Sequence, residues 1–379
     1  YGVYANNNNL NTTIKNCVIS NFQTGIYLQG ETNSTIQNVS AYTTRASGRG
    51  IEFQSVTGSA ISNSYGYSAA DIGIYTAWSN RNTVNNTRAN SSSSLGLELD
   101  ASHNNTLSNV TGNSYYEGIF LNGGASDNNI TNSVGNSTNS NGIGIHWYAM
   151  RNRVANSTGQ SVGNAGINID SYSENNTITN STGISSSLAG ININGANYNN
   201  VTSSTATSGS GNAISLTSSL YNVFNNVTAT SASSNGIRLE TGADYNTFLR
   251  NNVTAGVWVS NSGTGNAFNN STVGNIYYFT NGSGSWATYN TVDTTGDYWA
   301  DSGTAVPYNS TNTPTYWSGS GQDYHPYTLT QQLSLQCSAL STAGATYNMS
   351  TNLSINGSTC FNVTAQNVTL NCDGYSITG

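Results

Sequence analysis

Apolar residues along this chain come in short alternating runs, and one of them returns at a nearly constant interval. This anchor stands at Ile14, Ile36, Ile61, Val84, Leu107, Ile130, Val154, Ile178, Val201, Phe224, Phe248 and Phe268, mostly 22–25 residues apart. A Gly-apolar-x-apolar signature keeps step with it, as in Gly25-Ile26-Tyr27-Leu28, Gly50-Ile51-Glu52-Phe53, Gly96-Leu97-Glu98-Leu99 and Gly236-Ile237-Arg238-Leu239. Within each run apolar residues alternate with polar or aromatic ones, the period of a strand with one buried face. No segment shows the longer 3.6-residue apolar stripe of an amphipathic helix. Three short strands per repeat, separated by Gly, Asn and Ser, describe one coil of a stacked solenoid. The pattern predicts an all-β, right-handed parallel β-helix of about 12–15 coils, each of 22–25 residues.

A second series lies two residues after the anchor: Asn16, Asn38, Asn63, Asn86, Asn109, Asn132, Asn156, Asn180, Asn226 and Asn270. Asn tolerates left-handed backbone, and its amide both donates and accepts. The series predicts an inward ladder of stacked amides that serve each other and the turn backbone.

The repeat runs from residue 1 to about 290. It lapses over 291–332, where all three prolines and a cluster of aromatics fall, and this stretch is expected to be a cap and connector. A solenoid end exposes strand edges and core, so it needs such a cover. Residues 333–379 resume strand alternation, as though opening another coil stack. Across a junction of Gly379 with Tyr1 the interval from Leu370 to Ile14 would be 23 residues, in phase with the repeat. The chain is therefore expected to be a segment of something longer, with copies of itself stacked head to tail as its partners.

Composition narrows the setting. The formal net charge is −7 and the only lysine is Lys15, which leaves no basic stripe for nucleic acid. No apolar run approaches the roughly 20 residues that span a membrane. The chain carries 24 Asn-x-Ser/Thr sequons, so covalent glycans are expected. The candidates are Asn85, Asn104, Asn129, Asn175, Asn200, Asn348, Asn352 and Asn362, whereas sequons on the supposed inward ladder should be closed. Cys337 and Cys360 are expected to pair within the chain, and Cys372 with Cys17 across the junction, which requires an oxidising, extracellular compartment.

The repeat Asn176-Thr-Ile-Thr-Asn-Ser-Thr-Gly with Gly190-Ile-Asn-Ile, the segment Cys360-Phe-Asn-Val-Thr through Gly379, and the motifs Gly296-Asp-Tyr-Trp-Ala-Asp and Asp323-Tyr-His-Pro resemble right-handed β-helix surface proteins of archaea and bacteria. Those proteins have NosD-like or pectate-lyase-like repeats. The resemblance implies a permuted order, because the motif that opens the coils in that family follows them here. It specifies a fold rather than an activity.

Candidate chemistry is sparse. The outward column reads Tyr27, Glu52, Tyr75, Glu98, Phe120 on successive coils, with Asp71, Asp100 and Asp127 in nearby turns. Glu52 and Glu98, two coils or roughly 9.6 Å apart by strand spacing, could form a carboxylate pair. A solvated or packing face is the simpler account. Asp293, Asp297 and Asp301 are weak candidates for Ca²⁺. His103, His146 and His325 form no triad. No catalytic residue or cofactor is predicted, and the chain is expected not to be an enzyme. The expected function is that of a structural unit in an extracellular filament, sheath or surface layer. The alternative is a surface protein that binds or cleaves carbohydrate, or an adhesin stalk.

Overall fold

The computed structural model describes residues 1–6, 11–329, 337–349, 352–357, 359–372 and 374–379. The stretch 330–336, in which the expected connector ends and the last strands begin, lies outside the described residues. A front sheet of 13 parallel strands runs from Val3–Asn6 through Ile26–Gln29, Ile51–Gln54, Ile74–Ala77, Leu97–Asp100 and Ile119–Asn122 to Trp317–Gly319. Two further columns of parallel strands close each coil. In the lower coils one long strand serves both columns, as in Thr35–Thr43 and Thr106–Ser114. In the upper coils it divides, as into Thr177–Thr179 and Thr182–Ser185. The architecture is an all-β, right-handed parallel β-helix of stacked coils of about 23 residues.

Every anchor is buried, from Ile14 at 9% exposure to Phe268 at 0%. They pair in register: Ile130 with Val154, Val154 with Ile178, Ile178 with Val201 and Val201 with Phe224. Each coil thus buries its aliphatic side chains on its neighbours, and in the upper coils Phe224, Phe248 and Phe268 stack with centroids 5.0 and 5.4 Å apart. Where the columns approach most closely only small residues fit. A Cβ on Gly159 would lie 2.2 Å from the carbonyl oxygen of Gly166.

The Asn series two residues after the anchor is not inward. All ten of its members are exposed, and nine of them, Asn16 through Asn226, have φ between 47° and 58°. Asn is chosen there chiefly for left-handed backbone at a surface bend, with side-chain bonds such as Asn38 to Asn16 at 2.9 Å added. Sequons on this series are therefore open to solvent. The buried ladder lies two residues before the anchor, at Asn82, Asn105, Asn128, Asn152, Asn176, Asn199, Asn222, Asn246 and Asn266. Each Oδ1 accepts the backbone N–H of its equivalent on the preceding coil; Asn152 N–H reaches Asn176 Oδ1 at 2.8 Å. Each Nδ2 donates back to a carbonyl of that coil, as Asn176 to Ala149 at 2.9 Å. These amides satisfy the polar groups of a bend that the sheets do not reach.

A parallel buried column, Asn251 and Asn275, ends on Asp323, which accepts the Asn275 N–H at 2.9 Å and the Tyr277 hydroxyl at 3.0 Å. Asp323 belongs to an aromatic cover, in which Trp258, Tyr277, Tyr308, Tyr316 and Trp317 pack over the last coils. Asp293, Asp297 and Asp301 lie in the same region. Asp293 accepts the N–H groups of Thr295, Gly296 and Tyr298, Asp301 those of Thr294 and Thr295, and Asp297 that of Trp299. Among the described residues no group of three potential ligands converges on a metal position.

The described residues of 338–378 form three two-stranded parallel pairs, such as Thr346–Asn348 with Thr369–Asn371. Their small core comprises Leu340, Ala345, Tyr347 and Met349. The disulfide Cys337–Cys360, at a sequence separation of 23, ties one of these coils to the next. Cys17 and Cys372 carry free thiols.

Candidate functional site

Side chains between two inward aliphatics of a front-sheet strand must face out. Glu52, Tyr75 and Glu98 are such residues, and direct register partners on three successive coils. Arg49, just before the strand Ile51–Gln54, folds across them. Its Nη1 lies 2.5 Å from Glu52 Oε1, its Nε 3.4 Å from Asp71 Oδ2, and its guanidinium 3.8 Å above the Tyr75 ring. On the other side Tyr75 donates its hydroxyl to Asp100 at 2.9 Å, and Asn122 donates to Glu98 Oε1 at 3.1 Å.

The two glutamates sit in different surroundings. Glu98 is 6% exposed, and burial pushes its carboxyl up to about 7, against the Asn122 hydrogen bond that favours the anion. Burial also raises Glu52, but the Arg49 guanidinium beside it opposes the rise. The Tyr75 hydroxyl is held well above its ordinary value by burial and its bond to Asp100. A carboxylic acid near neutrality thus faces an ion-paired carboxylate across an aromatic ring, an arrangement suited to proton donation on one side and proton acceptance on the other.

The same face continues upward to His146, whose Nε2 lies 2.9 Å from Asn168 Nδ2 and whose Nδ1 lies 3.6 Å from Asp170. Burial lowers this imidazole, against the pull of Asp170 and Glu117. Asp127 is not part of the face; it lies in a turn column and pairs with Arg151 through two bonds of 2.8 Å. His103 lies beside that column, and His325 in the cover against Ala300. The sequence column thus identifies Glu52, Tyr75 and Glu98. It misses Arg49, which stands in a turn where alternation gives no direction, and names Asp71 and Asp100 only as residues of nearby turns.

None of the eight sequon candidates is buried: Asn104, Asn175, Asn200, Asn352 and Asn362 are exposed, and Asn85, Asn129 and Asn348 half-buried. No helix among the described residues is long and apolar enough to cross a membrane.

The sequence matches the family described as "Right handed beta helix region" over residues 1–158 and 143–295. No curated protein matches it. Among solved structures it is similar to the A-module of the Azotobacter vinelandii mannuronan C-5 epimerase AlgE4, at 15% identity and a TM-score of 0.46, over 65% of this chain and 76% of that one. It is also similar to the periplasmic alginate epimerase AlgG, at 10% identity and a TM-score of 0.39, over 93% and 72%. A third is the catalytic domain of a GH87 α-1,3-glucanase, at 13% identity and a TM-score of 0.39, over 74% and 61%. At these identities the likeness is one of fold. The expectation that the chain is not an enzyme does not stand: the solved structures with this likeness are alginate epimerases and a glucanase, and an enzyme role is not excluded.

Proposed function

The chain belongs to the right-handed β-helix family, and on that scaffold we propose that it acts on an extracellular polysaccharide, cleaving a glycosidic bond at the front face. The observation that carries this reading is the column of Glu52, Tyr75 and Glu98, in which burial raises one carboxyl to about 7 and Arg49 holds the other in an ion pair. It takes the place of the filament as the primary reading, because a merely lateral packing surface gives no reason to bury an acid beside an ion-paired one.

In the proposed reaction Glu98 gives its proton to the departing glycosidic oxygen. A water attacks the anomeric carbon from the opposite side and passes its proton to Glu52. One C–O bond breaks, one forms, and one water is consumed. Two stacking steps of roughly 4.8 Å separate the two coils, a spacing just beyond the upper limit of inverting pairs, about 6.5–9.5 Å, which side-chain reach can close. Tyr75, with the Arg49 guanidinium over its ring, separates the two carboxylates.

The test is release of reducing ends from a panel of neutral and acidic polysaccharides by the wild-type chain, Glu98→Gln and Glu52→Gln. Wild-type turnover on at least one polymer, falling by roughly 10²–10⁴ in either variant, is expected. Turnover that survives in Glu98→Gln would remove Glu98 from the reaction and with it this reading.

A further inference from the structure

One turn beyond the front sheet, residues of five successive coils line a concavity of ≈ 550 Å³, within the roughly 300–1,000 Å³ of small-ligand sites. Its chemistry is cationic, in a chain with only 9 Lys and Arg against 16 Asp and Glu. Arg81 and Arg151 both stand in this turn column with left-handed backbone, φ 57° and 55°, which throws their side chains outward. Arg151 spends Nε and Nη2 on Asp127 at 2.8 Å each, leaving Nη1. Arg81 is exposed, and its guanidinium makes no ion pair with any described residue. His103 lies between them. Its Nδ1 accepts the Ser126 N–H at 3.2 Å, so the neutral ring carries its proton on Nε2.

We propose that this groove binds the carboxylate of a uronate residue, so that the polysaccharide gripped by this protein is an acidic one. An oxyanion placed there meets the free fork of Arg81, which matches a carboxylate in two parallel bonds. His103 Nε2 and, beyond it, Arg151 Nη1 offer further donors along the groove. Asp127 does not repel it, because Arg151 already neutralises that charge. Asp100, which holds Tyr75 in the front-face site, and His103 are three residues apart on one coil. The groove therefore adjoins the front face across one bend of the coil. The ligand class rests on the polysaccharide reading; the geometry of the groove does not.

The probes are hexagalacturonate, its methyl ester and a sulfated hexasaccharide, titrated calorimetrically into the wild-type chain, Arg81→Ala, Arg81→Lys and Glu98→Gln at two salt concentrations. Hexagalacturonate is expected to bind, more weakly at higher salt, and about tenfold more weakly in Arg81→Ala. Arg81→Lys should recover part of that loss, and the methyl ester should bind as weakly to wild type as the acid does to Arg81→Ala. Equal binding of acid and ester, or unchanged affinity in Arg81→Ala, overturns the proposal. Tighter binding of the sulfated probe overturns the uronate assignment. The Glu98→Gln chain is the background in which the proposed turnover is stopped during titration, and release of reducing ends is measured separately, so failure of the cleavage reading and failure of the groove are separately visible.

Discussion

The buried amide ladder makes a prediction that the exposed one does not share. Replacing Asn176 by Ala removes the acceptor for the Asn152 N–H at 2.8 Å and the donor to the Ala149 carbonyl at 2.9 Å. It also removes a 3.1 Å bond to Asn199 Oδ1. Asn152 is 1% exposed and Asn176 fully buried, so the orphaned N–H and C=O lie out of reach of bulk water. An unsatisfied buried group costs about 1–3 kcal/mol. With two of them and one lost side-chain bond, Asn176→Ala should destabilise the fold by roughly 3–5 kcal/mol, less if a single water enters the space left. Asn180→Ala is the control on the same coil. Its side chain is exposed and its φ is 48°, so the cost should be that of a left-handed Ala, about 1 kcal/mol, and Asn180→Gly should cost less still. Guanidinium unfolding followed by circular dichroism gives the three values, and hydrogen exchange at the Asn152 amide locates the damage. If Asn176→Ala and Asn180→Ala agree within about 0.5 kcal/mol, the ladder does not have the role assigned to it.

Four further outcomes follow from the same geometry. Burial pushes the Asp323 carboxyl up to about 7, above its value in the unfolded chain, so folding takes up a proton. Its contribution to stability is full below about pH 4 and is lost as pH rises through about 7. Thermal midpoints should therefore fall between pH 5 and pH 8, and Asp323→Asn should flatten that slope; an unchanged slope refutes the assignment. Ile130→Ala, in a site with 0% exposure and in-register neighbours Leu107 and Val154, should cost about 2–5 kcal/mol, with hydrogen exchange raised first in the adjoining coils. Gly159→Ala should destabilise although it adds only a methyl, because that carbon would meet backbone at 2.2 Å. Reduction of Cys337–Cys360, which closes a span of 23 residues around a small core, should weaken residues 338–378 by about 3 kcal/mol, read as faster proteolysis of that segment alone.

The fold was legible because its two strongest signals agree. An anchor such as Ile178 must be apolar to stack on Val154 and Val201, and a strand period of two then forces its neighbours out. The amide columns were not legible in the same way. Asn180 and Asn176 recur with the same period, and Asn suits both a left-handed surface bend and a buried ladder. Spacing shows that a column exists but not which way it faces. The front-face site was half visible. Glu52 and Glu98 can be placed from the strand pattern alone, whereas Arg49 over Tyr75 depends on the path of a turn. Arg81, Asn104, Asp127 and Arg151 are in phase at 23, 23 and 24 residues, so that polar column carries the same period in the sequence as the apolar anchors do.

The in-register stacking also makes the molecule a ruler. Because Asn176 and Asn199 occupy one column, as do Ile178 and Val201, excising residues 178–200 joins equivalent positions and leaves every column intact. The distance from the front-face carboxylates to the aromatic cover can therefore change only in whole steps of about 4.8 Å. Loss or gain of coils would alter how many sugar units lie between those two landmarks without disturbing either of them.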